Sequence, residues 1–173
     1  MSNKVSVVTG ALGGMGVEIS MGLARRGGTV VMVGRDRERG EAAAEAVRSA
    51  TSNPNVELEI ADFASLASVR KAASAIVASH EKVDVLSHNA AVYSSTRKTT
   101  VDGHELMFGV NHLAPFLFSA LLLPALRGGG RVVFNSGDWK NKMAFDDLES
   151  EKEFKALDAF GRALGCRVEL AQA

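Results

Sequence analysis

An apolar run, Val5-Ser6-Val7-Val8, leads into Thr9-Gly10-Ala11-Leu12-Gly13-Gly14-Met15-Gly16, and a helix-compatible stretch, Val17 to Arg26, follows at once. A buried strand that turns through glycines into a helix constrains the fold more than any other feature of the chain. Such a turn aims unpaired backbone N–H groups and the positive end of the helix dipole at one spot, and a pyrophosphate fits there. Gly10 allows the sharp turn, Gly14 lets a phosphate approach the backbone, and Gly16 lets the helix pack close to the strand. The spacing G-x-x-x-G-x-G departs from G-x-G-x-x-G, and taken alone it also fits a tight turn with no ligand.

The same alternation continues downstream. Short β-branched runs predict strands at Val5–Val8, Thr29–Val33, Val56–Ile60, Val83–Ser87 and Arg131–Asn135. Alanine-rich stretches predict helices at Gly14–Arg26, Arg37–Ala50, Leu66–Ser79, Gly103–Leu126 and Lys155–Ala171. Continuous apolar strands between helices imply an α/β fold with a parallel sheet covered on both faces. Asp36 and Ser65 stand where N-caps are needed, and Asp102 with Glu105 resembles a capping box. Gly27-Gly28 and Gly128-Gly129-Gly130 end helices and feed the next strands. The 173 residues read as one domain without repeat or linker, and Gly137 to Phe154 is long enough to be a functional loop.

Charge and composition narrow the partners. Twenty basic residues balance twenty acidic ones, which argues against nucleic acid or an anionic membrane surface. One cysteine, Cys166, excludes an internal disulfide and a thiolate-rich metal site. Leu113 to Leu126 is greasy but, as a stretch, too short to span a bilayer. Met1-Ser2-Asn3-Lys4 runs straight into the first strand, so no leader is expected and a soluble, cytoplasmic protein is.

Several residues stand where chemistry is done in dinucleotide folds. The second strand ends Val33-Gly34-Arg35-Asp36. An acid here grips ribose hydroxyls and an arginine accommodates a 2′-phosphate, so Arg35 favours NADP over NAD. Arg37 and Arg39 are explained by a solvated helix start. Asp62 follows the third strand, where it either accepts the adenine amino group or caps a turn. Ser87-His88-Asn89-Ala90-Ala91 follows the fourth; its small residues admit a ribose, Asn89 has an amide to tie strands, and His88 reads as a packed histidine.

These motifs together resemble the short-chain dehydrogenase/reductase family, nearest its NADP-using retinol dehydrogenase and protochlorophyllide reductase branch. Thr9–Gly16 resembles T-G-x-x-x-G-x-G, and Asn89-Ala90-Ala91 resembles N-A-G with alanine for the glycine. Asn111-His112-Leu113-Ala114-Pro115-Phe116 resembles N-H-L-G-x-F. Arg131–Ser136 resembles the strand that carries the catalytic serine, and Phe145–Lys152 a loop of that branch. The resemblance implies a Rossmann-like, doubly wound sheet of order 3-2-1-4-5. It further implies NADP(H) held by Gly10, Leu12, Gly13, Gly14, Met15, Gly16, Arg35, Asp62, Phe63, Asn89 and Ala90. The helices at 103–126 and 155–171 match those that join subunits in relatives, so a homo-oligomer is expected.

The family's hydride exchange, as the resemblance implies it, uses a tyrosine and a lysine four residues apart, with a serine and an asparagine. Ser136 and Asn111 match the last two, although Ser136-Gly137 stands where many relatives carry a serine pair. Phe160 and Leu164 stand at the tyrosine and lysine positions. The chain also stops about where that helix ends, before the strand and loop that cup the nicotinamide in relatives. Three functions stay open: an NADP-dependent oxidoreductase with altered proton-handling groups, a nucleotide-binding pseudoenzyme or subunit, and a non-redox catalyst with Ser136, Trp139, His88 and Asn111 around its pocket.

Overall fold

The computed structural model describes residues 4–137 and 144–172. Five parallel strands form one sheet: β1 (Val5–Thr9), β2 (Thr29–Gly34), β3 (Val56–Ile60), β4 (Val85–His88) and β5 (Arg131–Phe134). Their order is β3-β2-β1-β4-β5, the doubly wound arrangement expected. β1 pairs with β2 from Val5↔Thr29 to Thr9↔Val33, and on its other side with β4 from Ser6↔Val85. The switch between the two directions of winding therefore falls at the C-terminal ends of β1 and β4.

Alternation along the strands decides which helix covers which face. Val7, Val31 and Val33 point into one core, with Val69, Ala72 and Ile76 of α3 (Leu66–Ser79) and Phe118 and Leu122 of α5 (Ala114–Leu126). Val8, Val30 and Met32 point the other way, toward Ala24 of α1 (Gly14–Ala24) and Ala44 and Val47 of α2 (Arg37–Thr51). The sheet ends on β5, where Val132 and Val133 stay half exposed.

Several boundaries differ from expectation. α1 ends at Ala24 because Gly27, at φ +79°, turns the chain out. Val83 lies outside β4, since its N–H donates to Ala125 O. The helix expected from Gly103 begins at Leu106 instead, as α4 (Leu106–Phe108), passes through a π-helical turn (Gly109–Leu113) and continues as α5. Asp102 does not cap it. Its carboxylate accepts the Leu66 N–H at 2.8 Å, at the start of α3. Glu105 caps α4 instead, accepting the N–H groups of Met107 and Phe108 at 3.0 and 2.7 Å. A sequence motif shows that an acid is available for a helix start; only the tertiary arrangement says for which one.

Leu106–Leu126 makes one stretch of 21 residues, long and apolar enough by length and composition to cross a membrane. That corrects the shorter span expected from Leu113. In this fold half of its apolar window is buried, against α3 and the sheet. The final helix, α6 (Ala156–Gln172), lies across the ends of β4 and β5.

Candidate functional site

The glycine turn is built as the sequence predicts. Gly10 sits at φ +64°, and a Cβ there would lie 2.7 Å from Ala90 Cα. A Cβ on Gly16 would lie 2.2 Å from Gly10 O and 2.8 Å from Asn89 Nδ2. Helix and loop approach so closely that no other residue fits. Gly13, the N-cap of α1, offers no side chain to the helix start, so first-turn N–H groups stay open to an anion. Met15 is 59% exposed on that turn and meets Asn135 Nδ2 through its sulfur at 3.5 Å.

A cavity of about 470 Å³ opens beside this turn. Its walls run from Gly10, Leu12 and Gly13, past Gly34, Arg35, Asp36 and Arg39, to Ala61, Asp62, Phe63 and Asn89 through Val92, with Val110 behind. Gly14, Met15 and Gly16 frame the turn without lining the cavity. Asp36 is used as a cap, its carboxylate accepting the Arg39 N–H at 3.0 Å. Asp62 closes its own turn through Ala64 N–H at 2.9 Å and still borders the cavity. Phe63 is buried, with its ring 5.5 Å from that of Phe118, so it contributes mostly as core.

Arg39 is the cavity residue that sequence reasoning missed. Its guanidinium lies 3.7 Å from where a Gly13 Cβ would be, whereas Arg37 pairs with Glu41 at 3.7 Å on the outside of α2. The Asp36 cap was the available signal. A residue whose N–H is held by the cap stands beside the strand end, so a long cation there reaches back toward the loop.

The other side of the switch is knitted by amides. Asn89 Nδ2 donates to Gly10 O at 3.2 Å, and its Oδ1 accepts from Asn135 Nδ2 at 3.1 Å. Asn111 is buried in the π-helical turn and pairs with the Val92 backbone both ways, at 2.8 and 2.9 Å. It satisfies the loop after β4, not the irregular helix itself. Ser136 is exposed and its Oγ donates to Leu164 O at 3.3 Å. Phe160 packs edge-on to Tyr93, ring centroids 5.6 Å apart. Arg162 fastens the loop before α6, donating to Asp147 O and to Ser150 Oγ. Trp139 and Lys140, on which a non-redox pocket rested, lie outside the described residues.

Arg167 is the largest surprise. It is fully buried and donates to Asn111 O, to Asn135 O at 3.0 Å and to Ala90 O at 2.6 Å. Three carbonyls from three elements thus meet one planar cation. Burial lowers its pKa to about 10.

His88 is packed, as expected. Its Nε2 meets Ser119 Oγ at 2.8 Å and its ring stacks on Phe134, while Nδ1 has no hydrogen-bond partner among the described residues. Burial first, and the Arg167 charge second, push its pKa down to about 3. His112 is lowered by the same causes in the same order. Unfolded histidine titrates near 6.5, so between pH 6.5 and 3 the unfolded chain binds protons that the fold refuses. The contribution of neutral His88 is complete above that window and is lost as pH falls through it. We expect about 2 kcal/mol of stability to disappear between pH 7 and pH 5. Urea midpoints measured across that range test this, and His88→Gln should flatten the dependence; an unchanged slope would contradict it.

A doubly wound sheet with a glycine turn after β1 and a cavity at its switch point is the architecture of the Rossmann-like α/β class. The chain belongs to the short chain dehydrogenase family, whose sequence pattern matches residues 4–142. This is a family of oxidoreductases that work with nicotinamide cofactors. The chain is 45% identical over 124 residues to retinol dehydrogenase 13 of Mus musculus, covering 72% of this chain and 37% of that one. It is 38% identical over 164 residues to mouse retinol dehydrogenase 12, covering 92% and 52%. It thus spans about half, or less, of these curated relatives. A crystal structure of an uncharacterized protein from Mycobacterium paratuberculosis superposes with a TM-score of 0.82 at 33% identity, covering 94% of this chain and 58% of that one. A metagenomic short-chain oxidoreductase solved in complex with NADP gives 0.78 at 26%, covering 98% and 75%.

Proposed function

We propose that the chain is an NADP(H)-binding domain of the short chain dehydrogenase type that has lost the proton-transfer pair of its family. One observation carries the cofactor preference: two cations, Arg35 and Arg39, border the cavity beside Gly34 while the neighbouring acid, Asp36, is spent on a cap. A 2′-phosphate finds two guanidinium donors there, whereas an unmodified ribose would meet a carboxylate with one oxygen already committed to the cap. Phe160 and Leu164 bring neither a titratable hydroxyl nor an ammonium, and Ser136 spends its hydroxyl on the α6 backbone. The domain therefore binds the reduced or oxidised cofactor without turning it over.

Titration calorimetry with NADP⁺ and NAD⁺ tests the reading. NADP⁺ should bind more tightly, and Arg35→Ala or Arg39→Ala should each weaken it by about tenfold to a hundredfold while leaving NAD⁺ unchanged. Equal affinity for the two cofactors, or binding of neither, would defeat it.

A second reading, a residual oxidoreductase, is favoured by Tyr93 alone. It is the single tyrosine of the chain, half exposed, and its ring lies against Phe160. In an assay of NADPH consumption with a panel of aldehydes and ketones, we expect no rate above buffer. Should a rate appear, Tyr93→Phe must lower it by about 10² to 10⁴ if Tyr93 acts as the acid; an unchanged rate removes that role.

A further inference from the structure

α6 is joined to the sheet differently from the other long helices. α1, α2, α3 and α5 each bury apolar side chains in one of the two cores against the sheet, whereas Ala159, Ala163 and Leu164 of α6 are buried but belong to neither core. What α6 sends to the strand ends is the Arg167 guanidinium, bonded to the carbonyls of Ala90, Asn111 and Asn135.

Each of those three residues is in the cavity wall or one hydrogen bond from it. Ala90 lines the cavity and stands against Gly10, where a Cβ would come within 2.7 Å of its Cα. Asn111 holds Val92 of the wall through both ends of its amide, at 2.8 and 2.9 Å. Asn135 donates to Asn89 at 3.1 Å, and Asn89 donates in turn to Gly10 O at 3.2 Å. One cation on α6 thus spaces both the glycine turn and the loop after β4. Its bonds are polar, and water can replace them once α6 lifts. A helix fastened in this way opens at lower cost than one that seals an apolar core.

We infer that Arg167 is a positioning residue for the cavity, and that docking of α6 and binding of the nucleotide are coupled through it. The inference rests on the NADP(H) reading above and adds a control element to it. With α6 down, the guanidinium fixes Ala90 and, through Asn111 and Asn135, its neighbours in the wall. With α6 up, three carbonyls turn to water and the wall loses its spacing. Coupling is reciprocal, so a nucleotide that needs the docked wall also holds α6 down.

Cys166 gives a direct probe. It is the single cysteine of the chain, buried on α6 beside Arg167, so its labelling by a soluble thiol reagent reads the opening of the helix. In the unmodified chain the labelling rate should depend only weakly on urea, because a local opening exposes little surface. NADP⁺ at about a hundred times its dissociation constant should slow labelling by about tenfold or more, with a ceiling of about a hundredfold. Arg167→Lys should speed labelling and weaken NADP⁺ binding by about fivefold or more, measured by calorimetry on the folded variant. A role in stability alone would leave that affinity unchanged. If NADP⁺ binds and labelling does not slow, or if labelling tracks global unfolding in urea, the coupling is overturned while the cofactor reading stands. If NADP⁺ does not bind, both fall together. Should the lysine variant not fold, the labelling rates of the unmodified chain decide alone.

Discussion

Replacing Arg167 with methionine is expected to lower the unfolding free energy by about 3 kcal/mol or more, because three buried carbonyls lose their donor at once. Methionine keeps most of the volume, so the loss is not a cavity effect. For a domain of this size such a change moves the thermal midpoint down by roughly 6 to 12 °C. Arg167→Lys should recover only part of it. An ammonium is a point charge with three donors on one nitrogen, and carbonyls from Ala90, Asn111 and Asn135 converge on different nitrogens of the guanidinium. Thermal unfolding followed by far-UV circular dichroism gives the measurement. A methionine variant within about 1 kcal/mol of the parent would mean that the carbonyls find other donors.

Gly16→Ala should be nearly as damaging and also abolish nucleotide binding. The added Cβ would meet Gly10 O at 2.2 Å, and a backbone oxygen has no rotamer by which to step aside. Relief requires α1 to move off β1, which opens the packing of Gly16, Ser20 and Ala24 and withdraws the first-turn N–H groups from the cavity. Overpacking of this kind costs about 1–3 kcal/mol, more where the obstacle is main chain. Gly22 on the same helix is the control. A Cβ there meets nothing within 4 Å, so Gly22→Ala should stabilise the helix by about 0.5–1 kcal/mol. Opposite signs for one substitution in one helix separate steric exclusion from helix propensity. If Gly16→Ala folds and binds NADP⁺ like the parent, the close approach of loop and helix is not required.

The parts legible beforehand share a physical property: they are local. Val5–Val8 and Thr29–Val33 read as strands from β-branched runs, and both lie in the sheet. Ser65 caps α3 through the Ser68 N–H, as its position before the helix suggests. The turn from Gly10 to Gly16 is visible in sequence because it needs only neighbouring residues and their torsions. Arg35 and Asn89 were placed by their distance from a strand end, and both border the cavity.

The parts that were not legible depend on partners far along the chain. Asp102 was assigned to the helix next to it and caps α3 instead, 36 residues away. Arg162 holds Asp147 and Ser150 of the preceding loop, 15 and 12 positions back. Nothing in the residues around Arg167 marks it out in the sequence. Its partners lie 32, 56 and 77 positions away. Periodicity marks which face of α6 is buried, but it gives no account of a cation on that face until the carbonyls it serves are in view.

The sequence alone determined the α/β alternation, the glycine turn and the identity of the residues after each strand, since these follow from torsional limits and from the apolar pattern of short segments. The tertiary structure decided how each polar group is spent. It sent Asp36 to a cap, Arg39 to the cavity and Arg167 to the strand ends, because a buried donor or acceptor must find a partner and the nearest one in space is rarely the nearest in sequence.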